Sequence, residues 1–234
     1  MGRHFEVRAA SMAATAKKKS AIYMRASKEI YMAAKRGVPD PNSNLALRSA
    51  IEKYRKSCPK DVIDRAIKKA QGGDATSYIE GRYEALGPAG SLIIVDTLSD
   101  NSNRALVNVR TIITKKGGQL GSVSFNFEHV GILDFKYTGT EEALEEALIL
   151  NEVDVKEITN EDGIAEVIVE PGDFEKAKEA LSTIGVTEYE AAEITMLAND
   201  KVTLDDEHKQ KFQEMLDMLD DCEDVQNVYH NVEL

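Results

Sequence analysis

The chain has 234 residues, 42% of them apolar and 30% charged, with two cysteines and no tryptophan. Such a composition belongs to a folded chain of one to three domains and excludes a disordered one. It also excludes a membrane helix, which needs roughly 18 consecutive apolar residues, while the isolated Cys58 and Cys222 exclude a disulfide scaffold or Cys-rich zinc site and point to a reduced, cytoplasmic setting.

The net charge of −12 conceals a division. Residues 1–72 carry 17 Lys and Arg against 6 Asp and Glu, whereas residues 73–234 carry 12 against 35. This asymmetry predicts a polyanion-binding module joined to an acidic, self-repelling body. No acidic residue lies between Val7 and Lys28. That basic, Ala- and Ser-rich stretch has the composition of an organellar transit peptide, but it runs without a break into a good helix.

At about 100° per residue, residues 17–36 form an amphipathic helix. Ile22, Tyr23, Ala26, Ile30, Ala33 and Ala34 make its apolar stripe, and Lys17, Lys18, Arg25, Lys28, Lys35 and Arg36 its basic one. Gly37-Val38-Pro39-Asp40-Pro41 ends it. A second helix is predicted from Ser43 to Lys56, with Leu47, Ile51 and Tyr54 inward and Arg48, Lys53, Arg55 and Lys56 outward. A third begins after Pro59, with Val62, Ile63, Ala66 and Ile67 inward, and stops at Gly72-Gly73. A charged helix face is ordinarily just a solvated surface; three successive cationic helices ahead of an acidic body favour phosphate binding. Tyr23, Tyr31 and Tyr54 stand among these cations as stacking candidates, although tyrosines in such positions more often edge a core.

The acidic body reads as two α/β units. Ser91–Val95 is a buried-type strand, Asn103–Lys116 a helix, Val123–Phe127 a strand and Ile132–Phe135 another. Near the C-terminus, Phe212, Met215, Leu216 and Leu219 have helical spacing, with Asp205, Asp206 and Glu207 in the first turn, where the helix dipole favours them; Val225–Val232 follows as a strand. Together these complete a split β-α-β unit. Between them, Glu141–Leu150 and Asp173–Ile184 are helices, and Val153–Ile158, Ala165–Val169 and Ala191–Leu197 are strands. The expected division is a basic helical domain over residues 1–76, a split α/β domain over 77–135 and 205–234, and an inserted acidic α/β domain over 136–204; the alternative is two α/β units in simple succession, against which the terminal strand argues mildly, since without it the first unit lacks a half.

Motifs of chemistry are scarce. His4, His129, His208 and His230 are scattered, without a metal-binding pair, and there is no G-x-S-x-G nucleophile elbow or Walker loop. Gly87-Pro88-Ala89-Gly90 reads as a turn before a strand, and the acidic helices as solvated faces without the oxygen-ligand spacing of a calcium loop. No catalytic residue, metal or cofactor is expected. Asp100-Asn101-Ser102-Asn103-Arg104, between a strand and a helix, has two readings: a helix N-cap, or a loop in which Asn101, Asn103 and Arg104 meet phosphate or base edges. A small-molecule function would gain only from a pocket with convergent polar groups.

Several segments resemble the YebC/PmpR family of probable transcriptional regulators, whose mitochondrial relatives are translational activators. They are Pro59-Lys60-Asp61-Val62-Ile63-Asp64-Arg65-Ala66-Ile67-Lys68-Lys69, Tyr83-Glu84-Ala85-Leu86-Gly87-Pro88-Ala89-Gly90, Asp100–Arg104, Gly117–Phe127 and Asp224-Val225-Gln226-Asn227-Val228-Tyr229. Where the family opens with a G-H-S-K-W-like motif, this chain has Gly2-Arg3-His4-Phe5-Glu6-Val7-Arg8, as in the divergent YeeN-like branch. The resemblance implies an α+β multidomain fold: a three-helix N-terminal domain and two ferredoxin-like α/β domains, one inserted in the other. It also implies a non-enzymatic, DNA-binding transcriptional regulator, or alternatively a translation factor that binds ribosomal RNA or the ribosome. The expected contacts to nucleic acid are Arg3, Arg8 and the basic residues of the three helices named above, with Lys60, Lys68 and Lys69, and Asn101, Asn103 and Arg104. No membrane or small-molecule substrate is expected, and the composition by itself does not separate DNA from RNA.

Overall fold

The computed structural model describes residues 16–72 and 77–233, with side chains from residue 20 onward. Three helices come first: α1 (Ala16–Arg36), α2 (Leu45–Tyr54) and α3 (Lys60–Gln71). Ala26, Ile30 and Ala34 of α1 meet Leu47, Ala50 and Tyr54 of α2 and Ile63 and Ala66 of α3 in one core. Asn44 explains the sharp α1–α2 corner. Its carbonyl accepts the Leu47 N–H at 3.1 Å, capping α2, while its amide donates to Ala33 O and Val38 O, both at 2.9 Å. Gly37 is required there because a Cβ would sit 2.6 Å from the Asn44 amide nitrogen. Pro59 stands immediately before α3, where its missing N–H costs nothing.

Of the described residues, 16–72, 77–126 and 200–233 belong to one compact unit, and Phe127–Asn199 to another. Beyond the helices, the first unit contains β1 (Ile79–Leu86), β2 (Leu92–Ser99), α4 (Ser102–Lys115), β3 (Gln119–Leu120), β8 (Val202–Thr203), α7 (Asp206–Asp220), β9 (Val225–His230) and β10 (Val232–Glu233). Its antiparallel sheet has the order β3-β1-β2-β9, and a short parallel pair joins β8 to β10. Helices α4 and α7 cover one face, where Ile93, Val95, Val109, Ile113, Phe212, Met215, Leu219 and Val225 are buried together. Asn101 and Asp205 cap these two helices through the Arg104 and His208 amides.

The second unit runs β4 (Phe127–Lys136), α5 (Glu141–Leu150), β5 (Val155–Glu161), β6 (Ile164–Val169), α6 (Phe174–Thr183) and β7 (Ala191–Ala198). The β-α-β-β-α-β succession with antiparallel order β5-β6-β4-β7 is ferredoxin-like. Leu133, Phe135, Leu144, Leu148, Val167, Phe174 and Leu181 fill its core. The fold is thus the α+β arrangement of a three-helix domain and two α/β domains.

Three features differ from the sequence reading. The split domain opens with a β1–β2 hairpin: β1, unassigned from sequence, is a charged strand in which Ala85 alone is fully buried. Val123–Phe127 is not a strand. Residues Ser124–Asn126 make a 3-10 turn, because the Glu84 carboxylate takes the Val123 and Ser124 amides at 2.6 and 2.8 Å. Finally, Phe127–Phe135 pairs with β6 and β7, so this stretch belongs to the inserted sheet; the divisions fall at 126/127 and 199/200 rather than at 135/136 and 204/205. Strand β4 is central in that sheet, and its residues from Val130 to Phe135 are all buried.

Candidate nucleic-acid interface

The expected interface divides into three groups of cations. The first faces inward. Arg25 donates to Val225 O at 3.0 Å and to Asp220 O at 2.9 Å, and its side chain is only 16% exposed. Lys28, 13% exposed, donates to Leu98 O and Glu223 O at 3.2 and 2.6 Å and lies 3.8 Å from the Asp224 carboxylate. Burial holds the Lys28 ammonium below its ordinary range despite its acidic neighbours. These two residues fasten α1 to the β2–β9 edge of the sheet. In this geometry the donors of Arg25 and Lys28, expected from sequence to meet phosphate, are engaged by backbone carbonyls of the same chain.

Arg104 belongs to the same fastening. Its Nε and Nη2 reach the two oxygens of Asp224 at 3.1 and 2.8 Å, and Nη2 also reaches Asp100 at 2.7 Å. Burial raises the Asp224 carboxyl pKa, but the hydrogen bonds from Arg104 and Ser99 and the Arg104 and Lys28 charges together more than offset that, leaving it below the usual carboxylate range. Within residues 100–104 the helix cap is present, with Asn101 accepting the Arg104 amide at 3.0 Å. Asn103 is exposed in the first turn of α4.

The second group is spent on neighbours at the surface. Arg36 pairs with Glu80 at 3.0 Å and Lys53 with Glu29 at 3.1 Å. Arg48 donates to Pro41 O and Asn42 O at 3.2 and 3.0 Å, bracing the interhelical loop. The ammonium groups of Lys35 and Lys69 lie 5.1 and 5.4 Å from the Tyr31 ring centre. Tyr31 and Tyr54 are buried in the bundle, Tyr54 donating to Glu29 at 2.6 Å, and Tyr23 is half-buried. Burial, followed by the Glu29 charge, drives the Tyr54 hydroxyl far above its ordinary range, so it remains a neutral donor. Neither Tyr31 nor Tyr54 can stack on a base.

The third group is exposed and lacks a carboxylate partner among the described residues: Arg55 at the end of α2 and Lys60, Arg65 and Lys68 on α3. Lys56 is exposed beside Arg55, and Lys69 beside Lys68. Arg65 extends the set expected from sequence; its spacing of three and four residues from Lys68 and Lys69 puts it on the same helical face, and that periodicity was the available signal. Its Nε donates to Asp61 O at 3.0 Å, holding the guanidinium along α3. Arg3 and Arg8 lie outside the described residues, and Lys17 and Lys18 have helical backbone in α1 with side chains outside the description. Among the described residues no cluster of His, Cys, Asp or Glu could hold a metal, and no helix is long and apolar enough to cross a membrane.

Comparison with known proteins places this architecture. Residues 3–73 match the family model described as the TACO1/YebC protein N-terminal domain, and residues 78–232 match that of the TACO1/YebC second and third domain. A protein of Mesoplasma florum named as a probable transcriptional regulatory protein is 50% identical over 99% of both chains. The Escherichia coli K12 protein YeeN, also named as a probable transcriptional regulatory protein, is 45% identical over 91% of both. The crystal structure of a conserved hypothetical protein from Aquifex aeolicus superposes with a TM-score of 0.74 at 32% identity, covering 92% of this chain and 90% of that one. The helical bundle, the hairpin-led split domain and the ferredoxin-like insertion are therefore those of the TACO1/YebC family, to which this chain belongs.

Proposed function

We propose that this protein is a non-enzymatic, DNA-binding transcriptional regulator that grips the phosphate backbone with the exposed cations of α2 and α3. The observation that carries this reading is the third group above: Arg55, Lys60, Arg65 and Lys68 are exposed and unneutralised in a chain of net charge −12. Cations left unpaired beside so much acid remain available to phosphates and gain from counterion release. The names of the Mesoplasma and Escherichia relatives support regulation of transcription as the setting. Specificity then requires base or shape readout in addition to these backbone contacts.

The test is crosslinking in growing cells followed by sequencing of the recovered nucleic acid, with the Arg55→Glu/Lys60→Glu/Lys68→Glu protein as control. Recovery of a small set of promoter segments, lost in the control, is the expected result. Recovery of defined ribosomal RNA positions in their place would overturn the DNA reading in favour of a translation factor. Equal recovery by the control would remove the helices from the interface.

A further inference from the structure

The edge strands of the two four-stranded sheets are not equally protected. A sheet edge presents backbone amides and carbonyls to any other strand, and folded chains blunt it by shortness, bulges, charges or a covering group. Among the described strands, three of the four edges carry such devices. Strand β3 has two residues. Strand β9 is bulged, since Asp96 faces Asn227 and Thr97 faces Val225, and the Arg25 guanidinium donates to Val225 O at 3.0 Å. Strand β5 is bulged between Val155 and Glu157, with Lys156 at the irregularity held by Glu128 at 2.7 Å.

Strand β7 has none of these. It runs for eight residues, Ala191-Ala192-Glu193-Ile194-Thr195-Met196-Leu197-Ala198, without proline, glycine or lysine, and Glu193 is its single charge. All eight pair with β4 in unbroken register, and among the described residues no strand lies on the other side. Ile194 stands opposite Gly131, where a Cβ would meet Phe174 of α6, so it lies on the helix-covered face. It is nevertheless 46% exposed, because the sheet ends at β7. A β-branched apolar side chain in the middle of an open edge is suited to packing against one more strand.

We propose that β7 pairs antiparallel with β7 of a second copy of this chain, joining the two ferredoxin-like sheets into one. The strand's own sequence argues for this partner. Opposed residues of an antiparallel pair share a face, so the two-fold axis must pass through a residue position. At Glu193 the axis would set two carboxylates against each other, and at Thr195 it would set Glu193 against the partner's Leu197. At Ile194 it opposes Ile194 to its own copy, Ala192 to the partner's Met196, and Glu193 to the hydroxyl of the partner's Thr195. That register matches apolar to apolar and gives the carboxylate a donor. The contact is isologous and therefore closes, since each β7 edge is used once. It involves no cation of α2 or α3 and is independent of their contact with phosphate.

The experiment is sedimentation equilibrium of the full chain from micromolar to millimolar concentration. Wild type should pass from monomer to dimer, with no larger species. Ile194→Lys, which opposes two ammonium groups at the axis, should raise the dissociation constant at least tenfold while its dilute sample melts close to wild type. Cysteine variants read the register. Under mild oxidation Ile194→Cys should form an intermolecular disulfide, whereas Glu193→Cys, whose two thiols are offset along the strands, should not exceed the background set by Cys58 and Cys222. If Ile194→Lys melts early, the cysteine pair decides alone. A wild-type monomer throughout the range overturns the proposal and leaves this edge to a segment of another protein. A dimer unaffected by Ile194→Lys and without the Ile194→Cys crosslink places the interface elsewhere and equally overturns it. Crosslinking through Glu193→Cys in place of Ile194→Cys overturns the register.

Discussion

Replacing Asp224 by asparagine tests whether the buried Lys28–Asp224–Arg104 cluster holds the helical domain against the sheet. The Asp224 side chain is 2% exposed and receives two bonds from Arg104, at 3.1 and 2.8 Å, with the Lys28 ammonium at 3.8 Å. Asparagine keeps the shape but turns one acceptor into a donor aimed at other donors, and strands Lys28 with two carbonyls. Removing one member of a fully buried pair costs about 3–5 kcal/mol. Arg104 is half exposed and keeps Asp100, so the lower figure of about 2–3 kcal/mol applies here. At about 2–4 °C per kcal/mol for a chain of this size, the melting temperature should fall by about 4–12 °C. Urea titration of Asp224→Asn, Lys28→Met and the double variant supplies the cycle, and a coupling of about 1 kcal/mol or more is expected between contacting residues. A single variant within about 0.5 kcal/mol of wild type, or strict additivity in the cycle, would refute the fastening. The acid dependence has a definite sign. A carboxyl lowered in the folded state contributes stability above its unfolded value of about 3.9, and that contribution disappears as pH falls through the lower folded value.

Three further outcomes follow from the same geometry. With four unneutralised cations on α2 and α3, the log–log salt slope for duplex DNA should be near −3.6, at about −0.9 per phosphate contacted; a slope near zero in a fluorescence anisotropy titration would exclude backbone contact. Arg55→Glu/Lys60→Glu/Lys68→Glu should weaken that binding by at least tenfold while leaving the melting temperature nearly unchanged, whereas Arg25→Glu/Lys28→Glu should destabilise the fold, because those side chains bond Val225, Asp220, Leu98 and Glu223. His230 sits edge-on to Phe212 at 5.2 Å, and burial lowers its imidazole from 6.5 to about 4. The unfolded chain binds the extra proton between those values, so stability is full above about pH 6.5 and falls on acidification toward pH 4, by at most about 3 kcal/mol. His230→Phe should flatten that part of the stability–pH curve, and an unchanged curve would exclude His230 as its source.

The three helices were legible in the sequence because each carries its own signals: the apolar stripe Ala26-Ile30-Ala34, the Gly37–Pro41 break, and Pro59 before α3. The helices and later strands of the insertion were legible for the same reason, since Glu141–Leu150 and the Asn160–Gly163 turn are local, but its first strand, β4, was assigned to the other sheet. The domain boundary was not, because strand pairing is a long-range choice. Phe127–Phe135 has the apolar run of any central strand, and nothing within it says whether its neighbours come from residues 164–169 and 191–198 or from 79–99. The same limit governs the basic face. The helical wheel groups Arg25 and Lys28 with Lys17, Lys18, Lys35 and Arg36, which is right for α1 as an isolated cylinder. It carries no information about acceptors supplied some 195 residues later at Asp220, Glu223 and Val225. A cation's periodicity therefore identifies its face, whereas its function depends on whether the remainder of the chain brings a carbonyl or carboxylate to that face. In this protein the C-terminal acidic turn does so for α1 and not for the outer surface of α3. The residues to test for nucleic acid are consequently those whose charge the fold has left unmatched, and the residues to test for stability are those whose charge it has matched.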